Sequence, residues 1–229
     1  MSSITLYLFF FIIPMIIGFV IQGWLRKTFA VNDQKPIASG KSGAEVAREI
    51  LDGNGLGNVP VQPSKAGPLS DHYDPRKRAL FLSEQVYAGR SVAATAVAAH
   101  EVGHAIQHAS AYAPMTIRAA IFPLAAFGSR SWFILLIAGF FLQITGLIFA
   151  ALVIFSFAVL FQLVTLPVEF NASRRAAEQL QALGLVTNEG EVAGVRQTLT
   201  AAAMTYVAGA LASVAQLMYF VMIFMGNRD

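Results

Sequence analysis

The 51 residues from Thr116 to Leu166 are almost continuously apolar, and this run restricts the architecture more than any other feature of the chain. A helix rises about 1.5 Å per residue, so a single helix of that length would measure about 76 Å, against roughly 30 Å for a hydrocarbon core. The stretch has to fold back and cross twice. Two places suit the turn. Gly128-Ser129-Arg130-Ser131 leaves a short first arm and a long second helix that projects from the membrane. Gln143-Ile144-Thr145-Gly146 gives two even spans with Arg130 inside the bilayer. A charge in mid-bilayer is costly unless it is paired or faces water, so the first arrangement is favoured.

Two more runs have the length of a span. Ile4 to Trp24 is uncharged and is followed by Arg26-Lys27. It lacks the basic start and the Ala-x-Ala-like site of a cleaved signal, so it reads as a retained span. Ala201 to Met225 is the last, and its Gly209 and Ser213 offer a small-residue face to another helix. Composition agrees: 13% of residues are charged and 56% hydrophobic, where soluble domains carry about 25% charged residues. The net charge of +3 does not point to nucleic acid, because the basic residues sit in loops between apolar spans and read as topology signals. The chain has no cysteine, which excludes disulfides and thiolate metal ligands.

Between the spans lie two soluble parts. Ser42-Gly43-Ala44-Glu45 is a capping box that opens a helix through Leu51, ended by Asp52-Gly53-Asn54-Gly55. Val59–Gln62 and Arg78–Leu82 read as short strands, separated by turn-rich Ser64-Lys65-Ala66-Gly67-Pro68 and Asp74-Pro75-Arg76-Lys77, and the residues around His72 in Asp71-His72-Tyr73-Asp74-Pro75 also suit a turn. The expected fold class is a mainly α membrane protein with about four transmembrane helices and a small α+β unit. It forms one membrane-embedded domain over residues 1–229, with spans at about 4–24, two within 114–166, and 201–225; the soluble parts are about 25–110 and 169–200.

The chemistry centres on a predicted helix from Ser91 to Ala109 that carries His100-Glu101-Val102-Gly103-His104. Histidines four apart share one helix face, so both imidazoles reach one ion. Glu101 sits about 100° round the helix, where its carboxylate can take a proton from water instead of binding the ion. Gly103 costs a helix interior about 1 kcal/mol relative to alanine, which is tolerable if another backbone must pass close by. A catalytic zinc ion needs a third protein ligand. Glu169, where the third apolar run meets Arg174-Arg175, is one candidate; a helix-start glutamate favoured by the dipole is the plainer account. His108 is the rival, but it lies about 12 Å along the axis from His100, with His104 between them. His72 has two readings, a substrate-orienting or oxyanion-stabilising group and a turn residue bonded to nearby backbone.

Three strings together resemble the YugP-like family of bacterial membrane zinc metallopeptidases: Asp71–Pro75, Ala98–Gln107, and Leu166-Pro167-Val168-Glu169-Phe170-Asn171-Ala172-Ser173. More distantly the chain is similar to the HtpX and CAAX prenyl protease group, whose third zinc ligand opens a Glu-x-x-Ala-Asp motif. Glu169 and Ala172 match that pattern; Ser173 stands where those relatives have aspartate, which leaves the support given by that aspartate to Ser173 or Asn171. The resemblance implies a zincin-like unit with one zinc ion on His100, His104 and Glu169, and hydrolysis of a peptide or membrane-protein substrate with Glu101 as general base. The alternative is a non-catalytic membrane scaffold or adaptor whose structural zinc is closed by His108 or His72. A metal transporter would place its histidines within the spans, and all four lie outside the apolar runs.

The expected location is the bacterial inner membrane, with the site facing the cytoplasm. Residues 104 and 169 must share one side of the bilayer to bind one ion, and Arg26-Lys27 and Arg174-Arg175 mark that side as cytoplasmic. Single cysteines at Ser2, Ser64, Asn188 and Asn227, treated in intact cells with a membrane-impermeant thiol reagent, should label at 2 and 227 only. Reaction of 64 and 188 on opposite sides would separate the two halves of the site.

Overall fold

The computed structural model describes residues 3–226; the labelling positions Ser2 and Asn227 lie outside the described residues. The chain divides into two units. One comprises the described residues up to Gln22, Ala113–Pro167 and the described residues from Thr205; the other comprises Gly23–Tyr112 and Val168–Met204. Four helical segments are long and apolar enough to cross a membrane: Ile4–Asp33, Ala113–Phe141, Thr145–Ala182 and Glu189–Gly226. The first is built from α1 (Ser3–Tyr7), a π-helical turn at Leu8–Ile12, and α2 (Ile13–Asp33).

In the first unit, the long apolar run folds back as α6 (Ala113–Phe141) and the part of α7 (Thr145–Ala182) up to Pro167, and the turn falls at Leu142–Ile144. The position favoured from sequence, 128–131, is wrong. Its two serines are satisfied inside the helix: Ser129 Oγ donates to Ala126 O at 3.1 Å and Ser131 Oγ to Phe127 O at 2.8 Å. Gly128 is there for packing, since a Cβ on it would lie 2.8 Å from Ile154 O of α7. The actual turn is made by Gln143 at φ 56° and closed by Ile144 N–H on Gly139 O at 2.9 Å. A Cβ on Gly139 would meet Ile148 at 2.8 Å, so the start of α7 packs directly on it. Trp132 stacks on Phe155 with ring centroids 4.3 Å apart, and Phe220 packs edge-on against it. Phe220 belongs to α8 (Glu189–Gly226). On α8, a Cβ on Gly209 would lie 3.8 Å from the end of the Gln162 side chain of α7, an ordinary contact and not the close helix approach expected of its small-residue face.

The second unit carries the sheet. Its helix α3 (Gly43–Gly53) has the expected capping box: Ser42 Oγ accepts from Glu45 N, and Glu45 Oε2 accepts from Ser42 N at 2.6 Å. Strands β1 (Val61–Pro63), β2 (His72–Asp74) and β3 (Ala79–Leu82) lie in the order β1-β3-β2, with β1 parallel and β2 antiparallel to β3. The Asp71–Pro75 string is therefore mostly strand. The turn residues that follow it, Pro75 to Arg78, close a hairpin that pairs His72–Asp74 with Phe81–Ala79, and Asp71 fastens the start by accepting from Ser83 N and Oγ. The short helix α4 (Glu84–Tyr87) leads to α5 (Val92–Ala109), which is capped by Ser91 Oγ on Ala94 N. Val46, Ile50, Leu51, Leu80, Leu82 and Val102 are fully buried and join α3, the sheet and α5 in one core. Asn32 Nδ2 donates to Gly194 O and Thr198 Oγ1, which ties the end of α2 to α8.

Because Ser42 and Glu45 each satisfy a helix N–H, Ser42→Ala should cost about 1 kcal/mol, read as a lower melting temperature in detergent. An unchanged melt would mean that α3 is held by its buried face alone.

Candidate metal centre

Helix α5 presents His100 and His104 on one face, and α7 sets Glu169 against both. Glu169 Oε2 lies 3.2 Å from His100 Nε2 and 3.6 Å from His104 Nε2. The potential ligand atoms of the three residues fall within 4.8 Å of one another. Glu169 is not a helix-start residue: it lies well inside α7, past Pro167, and is 2% exposed.

The absent side chain of Gly103 makes the approach possible. A Cβ there would sit 2.6 Å from Ala172 O and 3.1 Å from Ala172 C and Cα, so the α7 backbone occupies that space one helical turn beyond Glu169. The glycine inside the motif answers to a neighbouring backbone, as its cost to the helix implied.

The far nitrogens of both rings are also held. His100 Nδ1 is 3.2 Å from Ser173 Oγ, and His104 Nδ1 is 3.0 Å from Gln107 Oε1. With each Nε2 lone pair turned towards an ion, each Nδ1 keeps its proton and donates it to these acceptors, the arrangement that fixes the tautomer of a ligating histidine. Gln107 is held in turn: its Nε2 donates to Val168 O at 2.7 Å and to Asn171 Oδ1 at 3.0 Å, and Asn171 Oδ1 also accepts from Arg175 Nε. Ser173 thus occupies the supporting position on His100, while Asn171 acts on His104 through Gln107.

Glu101 is 8% exposed, and its Oε2 accepts from Tyr73 N at 3.0 Å. The outer strand β2 therefore runs beside the centre. The Tyr73 hydroxyl meets His108 Nδ1 at 2.8 Å, and burial pushes the phenol pKa up, so it stays protonated. His108 is thereby engaged away from the three clustered residues. His72 is exposed; its Nδ1 lies 2.8 Å from Ser70 O and its ring stacks on Phe81 at 5.1 Å, so the structure does not bring it into the cluster. Sequence reasoning gave no role to Tyr73 or Gln107. A glutamine at i+3 from His104, on a helix with little other polarity, was a usable signal; the backbone bond of Tyr73 had none.

The donor set fits a metal ion on three grounds. A tetrahedral zinc ion with bonds of about 2.0–2.1 Å separates its ligand atoms by about 3.3 Å, close to the two carboxylate–imidazole distances observed. The donors are nitrogen and oxygen only, as a chain without cysteine requires. The pocket also attracts positive charge: burial disfavours a charged His104, but the hydrogen bond to Glu169 and the charges of Glu101 and Glu169 outweigh it and hold its pKa above the usual imidazole value. Two imidazoles and one carboxylate can also hold ferrous iron, so the donor set alone does not choose between the metals.

Comparison with known proteins points to zinc. Residues 7–225 match the family described as "Putative neutral zinc metallopeptidase", and the chain belongs to that family. It is similar to the "Putative membrane protease YugP" of Bacillus subtilis (strain 168), at 46% identity over 224 residues that cover 98% of this chain and 99% of that protein. No solved structure matches the chain.

Gly103→Ala tests the close approach. The new methyl meets backbone and not a flexible side-chain end, so it should cost about 1–3 kcal/mol as overpacking and move Glu169 away from the histidines. Lowered zinc content with preserved helical content is the expected result, measured by metal analysis and circular dichroism. Full zinc occupancy in this variant would show that the α7 backbone can yield.

Proposed function

We propose that this chain is a zinc-dependent membrane endopeptidase whose site faces the cytoplasm. The observation that carries the reading is the meeting of His100, His104 and Glu169, with Glu101 buried beside them and its carboxylate tied to an outer strand. His100, His104 and Glu169 would hold the ion. Zinc, when bound, supplies Lewis acidity that lowers the pKa of water to about 7 and polarises a carbonyl. Glu101 accepts the water proton and later delivers it to the leaving amine. Tyr73 N–H holds Oε2, which keeps the carboxylate aimed and leaves its second oxygen for the proton. Ser173 and Gln107 keep both rings in the tautomer that offers Nε2.

The substrate enters as an extended peptide, from a loose chain or a membrane protein. Strand β2 lies at an edge of the sheet, and its Tyr73 N–H points away from β3. Since Glu101 holds Tyr73 N–H, a peptide added there would pair with the remaining outward main-chain groups of the strand, with its scissile bond beside Glu101. His72, exposed on the same strand, would touch the peptide and not the metal. The cytoplasmic orientation is supported by Arg26-Lys27 and Arg174-Arg175 near the ends of apolar runs. A scaffold with a structural zinc would need a fourth protein ligand, and both candidates have other partners: His108 has Tyr73, and His72 has Ser70 and Phe81.

Glu101→Gln should keep zinc at wild-type stoichiometry while peptide hydrolysis falls by about 10²–10⁴. Glu169→Ala should empty the site, and His108→Ala should leave it filled. Undiminished turnover in Glu101→Gln would defeat the mechanism, and an empty site in His108→Ala would defeat the ligand assignment.

A further inference from the structure

Arg130 is the only charged residue between Arg118 and Glu169 in the sequence. With the turn at Leu142–Ile144, it stands within α6, about 18 Å along the axis from Arg118 and about 16 Å from Phe141. That is the middle of a crossing of roughly 30 Å. It is exposed, on a face with Phe127, Ile134 and Ile137, which are exposed as well. Among the described residues it has no hydrogen bond or ion pair. An arginine in this setting is retained where something compensates it, and ionisable groups inside a span mark functional contacts.

We propose that Arg130 and the apolar face around it dock a transmembrane helix of another protein that carries an aspartate or glutamate within its span. Three alternatives fit the geometry worse. Lipid phosphate lies farther along the axis than an arginine side chain extends when it snorkels. The apolar neighbours on the face provide no wet cavity. A second copy brings no counter-charge, because residues 4–22, 113–167 and 205–226 contain no aspartate or glutamate. In hydrocarbon the pairing is selective, because a partner without a carboxylate leaves the guanidinium uncompensated. The surrounding phenylalanine and isoleucine side chains supply the packing that helix association in lipid relies on. The inference does not depend on peptidase activity.

The test is energy transfer in phosphatidylcholine vesicles between the donor-labelled full chain and an acceptor-labelled, leucine-rich transmembrane peptide with a central aspartate or, as comparison, a central leucine. The aspartate peptide should associate at least tenfold more tightly with the wild type. Arg130→Leu should erase that difference, and Arg130→Lys, which keeps the charge, should retain most of it. Circular dichroism of each variant verifies the fold. Equal association of the two peptides with the wild type, or a preference that survives in Arg130→Leu, overturns the proposal. So does a preference that vanishes from the wild type when part of the lipid is phosphatidylglycerol, because Arg130 would then belong to lipid phosphate. Persistence in that mixture supports the helix partner.

Discussion

The centre depends on the contact between the bare backbone of Gly103 and the carbonyl of Ala172. No side chain intervenes, so α5 and the latter part of α7 approach to backbone distance, and Glu169, three residues before Ala172, reaches both imidazoles of the motif. The cost is the helix-weakening effect of a glycine in the middle of α5. Hydrogen bonds that cross the same seam offset it: Gln107 on Val168 O and Asn171, and Ser173 on His100. The bonds that hold the two helices together are also the bonds that orient the rings, so packing and chemistry are not separable here.

Strand β2 adds the other half of the geometry. Its residue Tyr73 makes two bonds to one face of α5 about two helical turns apart, the backbone N–H to Glu101 and the hydroxyl to His108. The strand is thereby set against the helix along the stretch where the proposed base stands, and β3 backs it from the other side. Burial works against a charged His104, but the carboxylates of Glu169 and Glu101 beside it outweigh that and hold its pKa above the usual imidazole value.

The membrane helices follow a different logic. The fold-back of the long apolar run into two helices was legible from length alone, because no single helix of that length matches a bilayer. The place of the turn was not. The cost of a charge in mid-bilayer argued against a helix through Arg130, yet α6 runs on through it with the arginine on its exposed face, and the serines beside it close their own bonds within the helix. Gly128 resembled a turn glycine and is a packing glycine, a distinction that depends on Ile154, 26 positions away.

Periodicity and local chemistry are properties of neighbouring residues, so the sequence by itself determined the apolar runs, the capping box of α3, and a helix with His100 and His104 on one face and Glu101 beside it. The packing of Gly128 on Ile154, the strand at His72–Asp74, the bond from Tyr73 to Glu101 and the bonds of Gln107 to Val168 and Asn171 were decided by tertiary structure. Each is a contact between segments that the chain order keeps apart, and spacing within a segment carries no information about what will stand opposite it. Glu169 lies between these cases: its position in a family-like string singled it out, and only the close approach allowed by Gly103 brought its carboxylate to the histidines.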